Sequence, residues 1–201
     1  MAPAQASLLA KLDTQQRVRD FLTNAIASGR ASHAYLFLGA SGAGKLDAAW
    51  ALAQAFLCER DGCGSCDSCV RVARHTHPDV HYYTPESATG YLIAQTRELL
   101  DDVPLAPIRA KAKVYIIDRA EQLRANTANA LLKTLEEPPE GVMFILLGTS
   151  ADVMLPTIVS RCQCVPFRLV SPTVAAQAVS RATGQDLSLI HISEPTRRSY
   201  I

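Results

Sequence analysis

The segment Gly39-Ala-Ser-Gly-Ala-Gly-Lys45-Leu46 follows a short apolar run, Tyr35 to Leu38, and opens an alanine-rich stretch from Lys45 to Leu57. Strand, glycine-rich loop and helix in that order make a phosphate-binding loop, in which backbone N–H groups at a helix N-terminus face an anion. The full pattern, Gly-x4-Gly-Lys-Ser/Thr, ends in a hydroxyl that ligates Mg²⁺. Here the glycines and Lys45 are present and Leu46 stands at the hydroxyl position. The candidate nucleotide-binding residues are Gly39, Gly42, Ala43, Gly44, Lys45 and Leu46. A cradle without its metal hook predicts weak ATP/Mg binding and little or no hydrolysis by this chain.

The rest of the chain continues the alternation. Leu8, Leu12, Val18, Phe21, Leu22 and Ile26 have the spacing of two short amphipathic helices, the second stopping at Gly29. Apolar runs at 80–83, 114–117 and 143–147 read as buried strands, and 165–168 as a fifth. Helical patterns at 91–102 and 126–137 separate them. Leu131, Leu132 and Leu135 share one face of the second pattern, and Pro138-Pro139 ends it. This order predicts an α/β fold, with a mostly parallel five-stranded sheet, right-handed crossovers and helices on both faces. An alanine-rich stretch after Ser171 reads as the start of another domain, so the expected division is 1–169 and then 170–186. Residues 187–201, beginning Leu187-Ser-Leu-Ile-His-Ile-Ser-Glu-Pro-Thr-Arg197, read as the translation of a sequencing adapter. On that reading the native chain is longer.

Composition excludes some classes of function. With 48% hydrophobic and 19% charged residues, the makeup is that of an ordinary globular domain. No apolar run approaches the ~18 residues of a membrane span, so no membrane partner is expected. A net charge of +1 offers no global basic field for binding nucleic acid by this chain alone. The N-terminus lacks the basic and apolar regions of a secretory leader, so the expected location is cytoplasmic, where the six cysteines stay reduced.

Three further constellations carry chemistry. The strand at 114–117 ends in Asp118 followed by Arg119, where a nucleotide hydrolase has Asp-Glu. Asp118 can still help to hold a metal, but a guanidinium cannot orient water as a base does. Glu121 lies three residues on and is expected at the surface or at a helix start. Cys58, Cys63, Cys66 and Cys69 are spaced C-x4-C-x2-C-x2-C, with Gly62 and Gly64 among them. That spacing suits a structural four-cysteine zinc site. Its first three cysteines also match the start of plant-type iron–sulfur spacing. There the fourth ligand comes from far away, whereas Cys69 follows at once, which favours zinc. His75, His77 and His81 are expected to be solvated rather than ligands. Ser160-Arg161-Cys162 follows an apolar run, and Arg161 taken alone reads as a solvated charge or a carboxylate partner. Cys162 and Cys164 read as inert buried thiols alternating along a strand.

Taken together these motifs resemble the bacterial DNA polymerase III clamp-loader subunits of the AAA+ type. The resemblance is carried by His33-Ala-Tyr-Leu-Phe-Leu-Gly39 leading into the loop and by the four-cysteine insert. His77-Pro-Asp-Val80, Asn129-Ala-Leu-Leu-Lys-Thr-Leu-Glu-Glu-Pro-Pro139 and Leu155-Pro-Thr-Ile-Val-Ser-Arg-Cys162 complete it. It implies a three-layer AAA+ sandwich with a zinc insert at 58–69 and a helical lid beginning at 170. It also implies a role in loading the sliding clamp on primed DNA, with gamma/tau and delta subunits, the clamp and primer-template DNA as partners. Within the family, Leu46 and Asp118-Arg119 resemble the delta-prime subunit, whose nucleotide site is commonly degenerate, rather than the gamma/tau ATPase. The resemblance gives Arg161 a role in trans, as an arginine finger on the ATP of a neighbouring subunit.

Overall fold

The computed structural model describes residues 7–87, 90–123 and 125–169. These fall within one compact unit, Met1–Leu169. The expected lid segment and the adapter-like tail lie outside the described residues.

The chain enters through two 3₁₀ turns, Leu9–Lys11 and Asp13–Gln15, and then helix α1, Gln16–Ala27. The first of the two expected helices is therefore replaced by 3₁₀ turns. Leu9 and Leu12 are both buried, and a spacing of three serves a 3₁₀ turn as well as an α-helix. Helix α1 stops as the sequence predicts. Arg30 N–H donates to Ala25 C=O and Gly29 N–H to Ile26 C=O, the paired bonds of a Schellman cap.

Strand β1 (Ala34–Leu38) leads into helix α2 (Lys45–Leu57), and a short helix α3 (Asp67–Ala73) follows the cysteine cluster. Then come β2 (Val80–Tyr83), α4 (Ile93–Asp102), β3 (Lys113–Ile117), α5 (Ala125–Glu136) and β4 (Val142–Gly148). A one-turn helix α6 (Pro156–Val159), with proline in its first turn, precedes β5 (Gln163–Pro166). All five strands are parallel, in the order β2-β3-β4-β1-β5.

Successive residues of a strand face opposite sides, and each side is covered. Phe37, Ile116 and Ile145 pack with Leu52 and Leu22 on the α1/α2 side; Leu36, Ile117 and Phe144 pack with Leu131 and Leu135 on the α5 side. Every residue of β4 is buried, as an inner parallel strand with both faces covered requires. The fifth strand starts two residues earlier than expected. It is an edge strand paired only with β1, so its exposed Gln163 breaks the apolar run that marks an inner strand. Among the described residues no helix is long and apolar enough to cross a membrane.

A buried carboxylate holds the stretch between α4 and β3. Asp79, wholly buried at the start of β2, accepts the N–H groups of Ile108, Arg109 and Ala110. Burial alone would push its pKa up, but these three donors outweigh it and hold the carboxyl below the ordinary aspartate range. A depressed folded-state pKa gives stability that is complete above the unfolded value, near pH ~4, and lost as the pH falls through the lower folded value. Asp79→Asn is expected to lower stability by ~3 kcal/mol, because it sets an N–H₂ group among N–H donors and removes a charged acceptor. It should also flatten the acid limb of stability against pH. Urea titrations from neutral pH to below pH ~4 check both results.

Candidate functional site: phosphate cradle and cysteine cluster

The loop from Gly39 to Leu46 joins the carboxyl end of β1 to the N-terminus of α2. Gly39 donates its N–H to Gly148 C=O at 3.2 Å, beside the end of β4. A side chain at position 39 would lie 2.6 Å from Phe167 C=O, so only glycine lets the chain after β5 pass this closely. Gly44, the residue preceding α2, sits at φ +83, in the left-handed region. Ala43 is buried, and its carbonyl accepts from Gln15 Nε2 at 3.0 Å. The same nitrogen donates to Arg168 C=O at 2.6 Å. Gln15 is thus part of the cradle's scaffold, although nothing in its sequence context marks it.

Lys45 turns its ammonium back onto the carbonyls of Gly39 and Ala40. Burial lowers its pKa, against the opposing pull of the Glu121 and Asp118 carboxylates. Both acids therefore act electrostatically on the cradle's lysine. Leu46, in the first turn of α2, is 37% exposed. Asp118 follows β3, and its Oδ1 accepts Arg119 N–H at 2.9 Å. Its Oδ2 accepts the Tyr82 hydroxyl at 3.3 Å and lies 3.9 Å from Arg119 Nε.

Glu121 stands at a helix start, as expected, but its side chain turns inward. It belongs to a 3₁₀ turn, Ala120–Gln122, and its Oε2 is buried with no hydrogen-bond partner among the described residues. That oxygen lies 3.6 Å from where a side chain on Gly148 would begin, beside Leu38 and Met154. The cause is local: Arg119 adopts φ +44, and this left-handed step turns the following residues back over the strand ends.

The four sulfurs of Cys58, Cys63, Cys66 and Cys69 all lie within 4.8 Å of one another. Cys58 and Cys66 are separated by 3.8 Å and Cys63 and Cys69 by 4.0 Å. A tetrahedral ion with metal–sulfur bonds of ~2.3 Å needs sulfurs ~3.8 Å apart, so the cluster is shaped to hold a metal ion. Its surroundings favour the thiolates of Cys58 and Cys63. Cys58 Sγ accepts the N–H groups of Arg60 and Cys63, and Cys66 Sγ accepts that of Cys69. Cys63 Sγ faces the Arg60 guanidinium and the Ser65 hydroxyl. The backbone N–H groups of Ser65 and Cys66 bring the Cys63 thiol down to about 5, while burial pushes Cys66 and Cys69 up. Ionising all four thiols this close together would need a cation between them. The cluster is tied to α2 by Gln54, buried, which donates to Cys69 C=O and accepts Leu8 N–H.

The three histidines lie outside this metal-shaped group. His75 is exposed and stacks on Trp50 with ring centroids 4.0 Å apart. His77 is buried rather than solvated, because its Nδ1 accepts Asp79 N–H at 3.1 Å where the chain turns into β2. His81 lies within β2, half-buried and stacked on Tyr115.

Arg161 is presented on the turn between α6 and β5. Its Nε donates to Glu136 Oε1 at 2.8 Å, a second nitrogen meets the same oxygen, and the third donates to Thr157 C=O and to the Ser160 hydroxyl. None of these partners belongs to the cradle, so the structure does not bring Arg161 to its own chain's phosphate loop through any of these bonds. Cys162 and Cys164 are half-buried rather than fully buried, and Cys162 precedes the strand; burial pushes both thiols up, Cys162 to about 12.

The family described as DNA polymerase III, delta subunit, matches residues 14–171. The chain is 42% identical over 163 residues to the DNA polymerase III subunit delta' of Bacillus subtilis, covering 80% of this chain and 49% of that protein. It is 36% identical over 176 residues to the gamma/tau subunit of Mycobacterium tuberculosis, covering 86% and 30% respectively. This chain thus spans about half the length of the first relative and less of the second. Among solved structures, a DNA polymerase III gamma subunit-related protein of Thermotoga maritima superposes with a TM-score of 0.57 at 22% identity, covering 81% of this chain and 49% of that one. The RuvB Holliday junction branch migration motor of the same organism does so with a TM-score of 0.53 at 17% identity, covering 86% and 50%. These two superpositions show a shared AAA+ fold. The breadth of the family match and the level of identity place the chain in the DNA polymerase III delta-subunit family.

Proposed function

We propose that this chain is a delta-prime-like subunit of a DNA polymerase III clamp loader. It helps to load the sliding clamp on primer-template DNA, alongside gamma/tau and delta subunits. It does so without efficient ATP hydrolysis of its own. One observation carries this reading: Leu46 and Arg119 replace the oxygen donors of a nucleotide hydrolase, while Arg161 is kept on an exposed turn. In this role Arg161 reaches the ATP of the neighbouring gamma/tau subunit. Cys58, Cys63, Cys66 and Cys69 hold one structural zinc, whose closed four-sulfur shell fixes the insert and leaves no open position for catalysis.

Reconstitution with a gamma/tau-type partner tests the reading. Clamp loading should depend on this chain, and the isolated chain should turn over ATP at or near background. A second reading, an active gamma/tau-type ATPase, draws on the inward turn of Glu121 beside Lys45's electrostatic field. Steady ATP turnover by the isolated chain that Lys45→Ala abolishes would establish that reading instead.

A further inference from the structure

A phosphate loop of this type implies Mg²⁺, and the residues around this one do not fit the ion. The hydroxyl that would ligate it is Leu46, an aliphatic side chain with no lone pair to offer. Its companion carboxylate, Asp118, is already engaged on both oxygens: Oδ1 by Arg119 N–H, Oδ2 by the Tyr82 hydroxyl and, at 3.9 Å, by Arg119 Nε. An ion seated on Asp118 would stand against a guanidinium, cation against cation, with no hydroxyl at position 46 to complete its shell.

Arg119 is also out of the ordinary in its backbone. It sits at φ +44, ψ +51, one of three non-glycine residues at positive φ in the described chain, the others being Asp61 and His75. A side chain bearing a Cβ pays a steric penalty in that region, so such a conformation is kept where it places something. What it places is a guanidinium, 58% exposed, over the carboxylate that follows β3, the strand paired with β4, whose Gly148 accepts Gly39 N–H of the loop. The cradle's end of the sheet thus carries two cations, the point charge of Lys45 on the loop and the planar fork of Arg119 beside Asp118. Such a fork matches phosphate oxygens two at a time.

We propose that this cradle binds the polyphosphate of a nucleoside di- or triphosphate without a divalent metal, with the Arg119 guanidinium serving as the counter-cation beside Lys45. On binding, the guanidinium shifts from Asp118 to the phosphates and the Lys45 ammonium leaves the Gly39 and Ala40 carbonyls for them. No bond is broken, and without a metal or a positioned base the nucleotide is retained rather than cleaved. The inference rests on reading the loop as a degenerate clamp-loader site, and it adds to that reading a ligand, a metal requirement and a residue.

Titration calorimetry of the full chain with ADP and with a non-hydrolysable ATP analogue, in excess Mg²⁺ and in EDTA, tests the inference. The dissociation constants should agree within about threefold between the two buffers, a difference worth well under 1 kcal/mol. Arg119→Gly removes the guanidinium while accepting positive φ freely, so the fold should hold; binding should weaken about tenfold in both buffers, the size of a lost charge-assisted hydrogen bond. Arg119→Lys, which keeps the charge and loses the fork, should recover part of that loss. Tighter binding by tenfold or more in Mg²⁺ than in EDTA, absence of binding in both, or wild-type affinity in Arg119→Gly would each overturn the inference. Assembly with a gamma/tau-type partner, measured on the same samples, separates the two readings. Assembly retained with any of those results removes this inference alone. Assembly absent from the wild type removes the clamp-loader reading, and the calorimetry still decides the metal question.

Discussion

Replacing Arg161 by alanine is expected to lower the clamp-stimulated ATPase of a gamma/tau-type neighbour by about 10³-fold or more, the range of arginine fingers in related phosphoryl chemistry. On the proposed reading, the placement of the guanidinium serves such a task. The turn after α6 carries it to a partly exposed position, and Glu136, Thr157 and Ser160 engage all three of its nitrogens. A side chain already held in place loses less freedom when it meets an anion. The folded state of the mutant should be nearly unchanged, since a partly exposed ion pair contributes only ~0–1 kcal/mol. ATPase rates of the reconstituted complex, beside a melting curve of the isolated mutant, check the two halves of the prediction. Unchanged turnover with an intact fold would remove Arg161 from the chemistry and leave it as a brace for α5.

The second large effect concerns the cysteine cluster. Cys69→Ser is expected to reduce the bound zinc from about one ion per chain to none, since a closed four-sulfur site cannot spare a ligand. It should also destabilise the domain by about 5 kcal/mol or more, judged against apparent zinc-binding energies of ~10–16 kcal/mol in small zinc modules. Cys69 is the severe choice because it is wholly buried, begins the cover that α3 forms over α2, and shares Gln54 with the N-terminal segment. Elemental analysis gives the first number and chemical denaturation the second. A chain that melts as before after complete metal removal would show that packing on α2, rather than the ion, holds the insert.

How much of this could be read from the sequence depended on which kind of signal carried each element. Inner strands covered on both faces leave unbroken apolar runs, so β3 and β4 were legible nearly to the residue, β1 was legible through the loop it feeds, and the edge strand β2 through its short run Val80–Tyr83. In the other edge strand, β5, the exposed Gln163 breaks the run, which is why it lay upstream of its expected place. The cysteine cluster was legible because ligand spacing is itself a geometric statement. Glu121 was not, because its direction follows from a left-handed arginine that no glycine or asparagine announces. His77 and Asp79 were visible as a motif. The three N–H groups gathered by Asp79 come from about thirty positions away, beyond the reach of local pattern.

Gln15 has a mechanical consequence. Both hydrogens of one amide nitrogen go to carbonyls that belong to different parts of the domain: Ala43, in the loop that would cup an anion, and Arg168, where the chain departs from the sheet's edge. Displacing the loop would pull on the chain after β5 through that one amide group. The molecule thus carries a tie-rod between its anion-cupping loop and the chain that leaves the sheet.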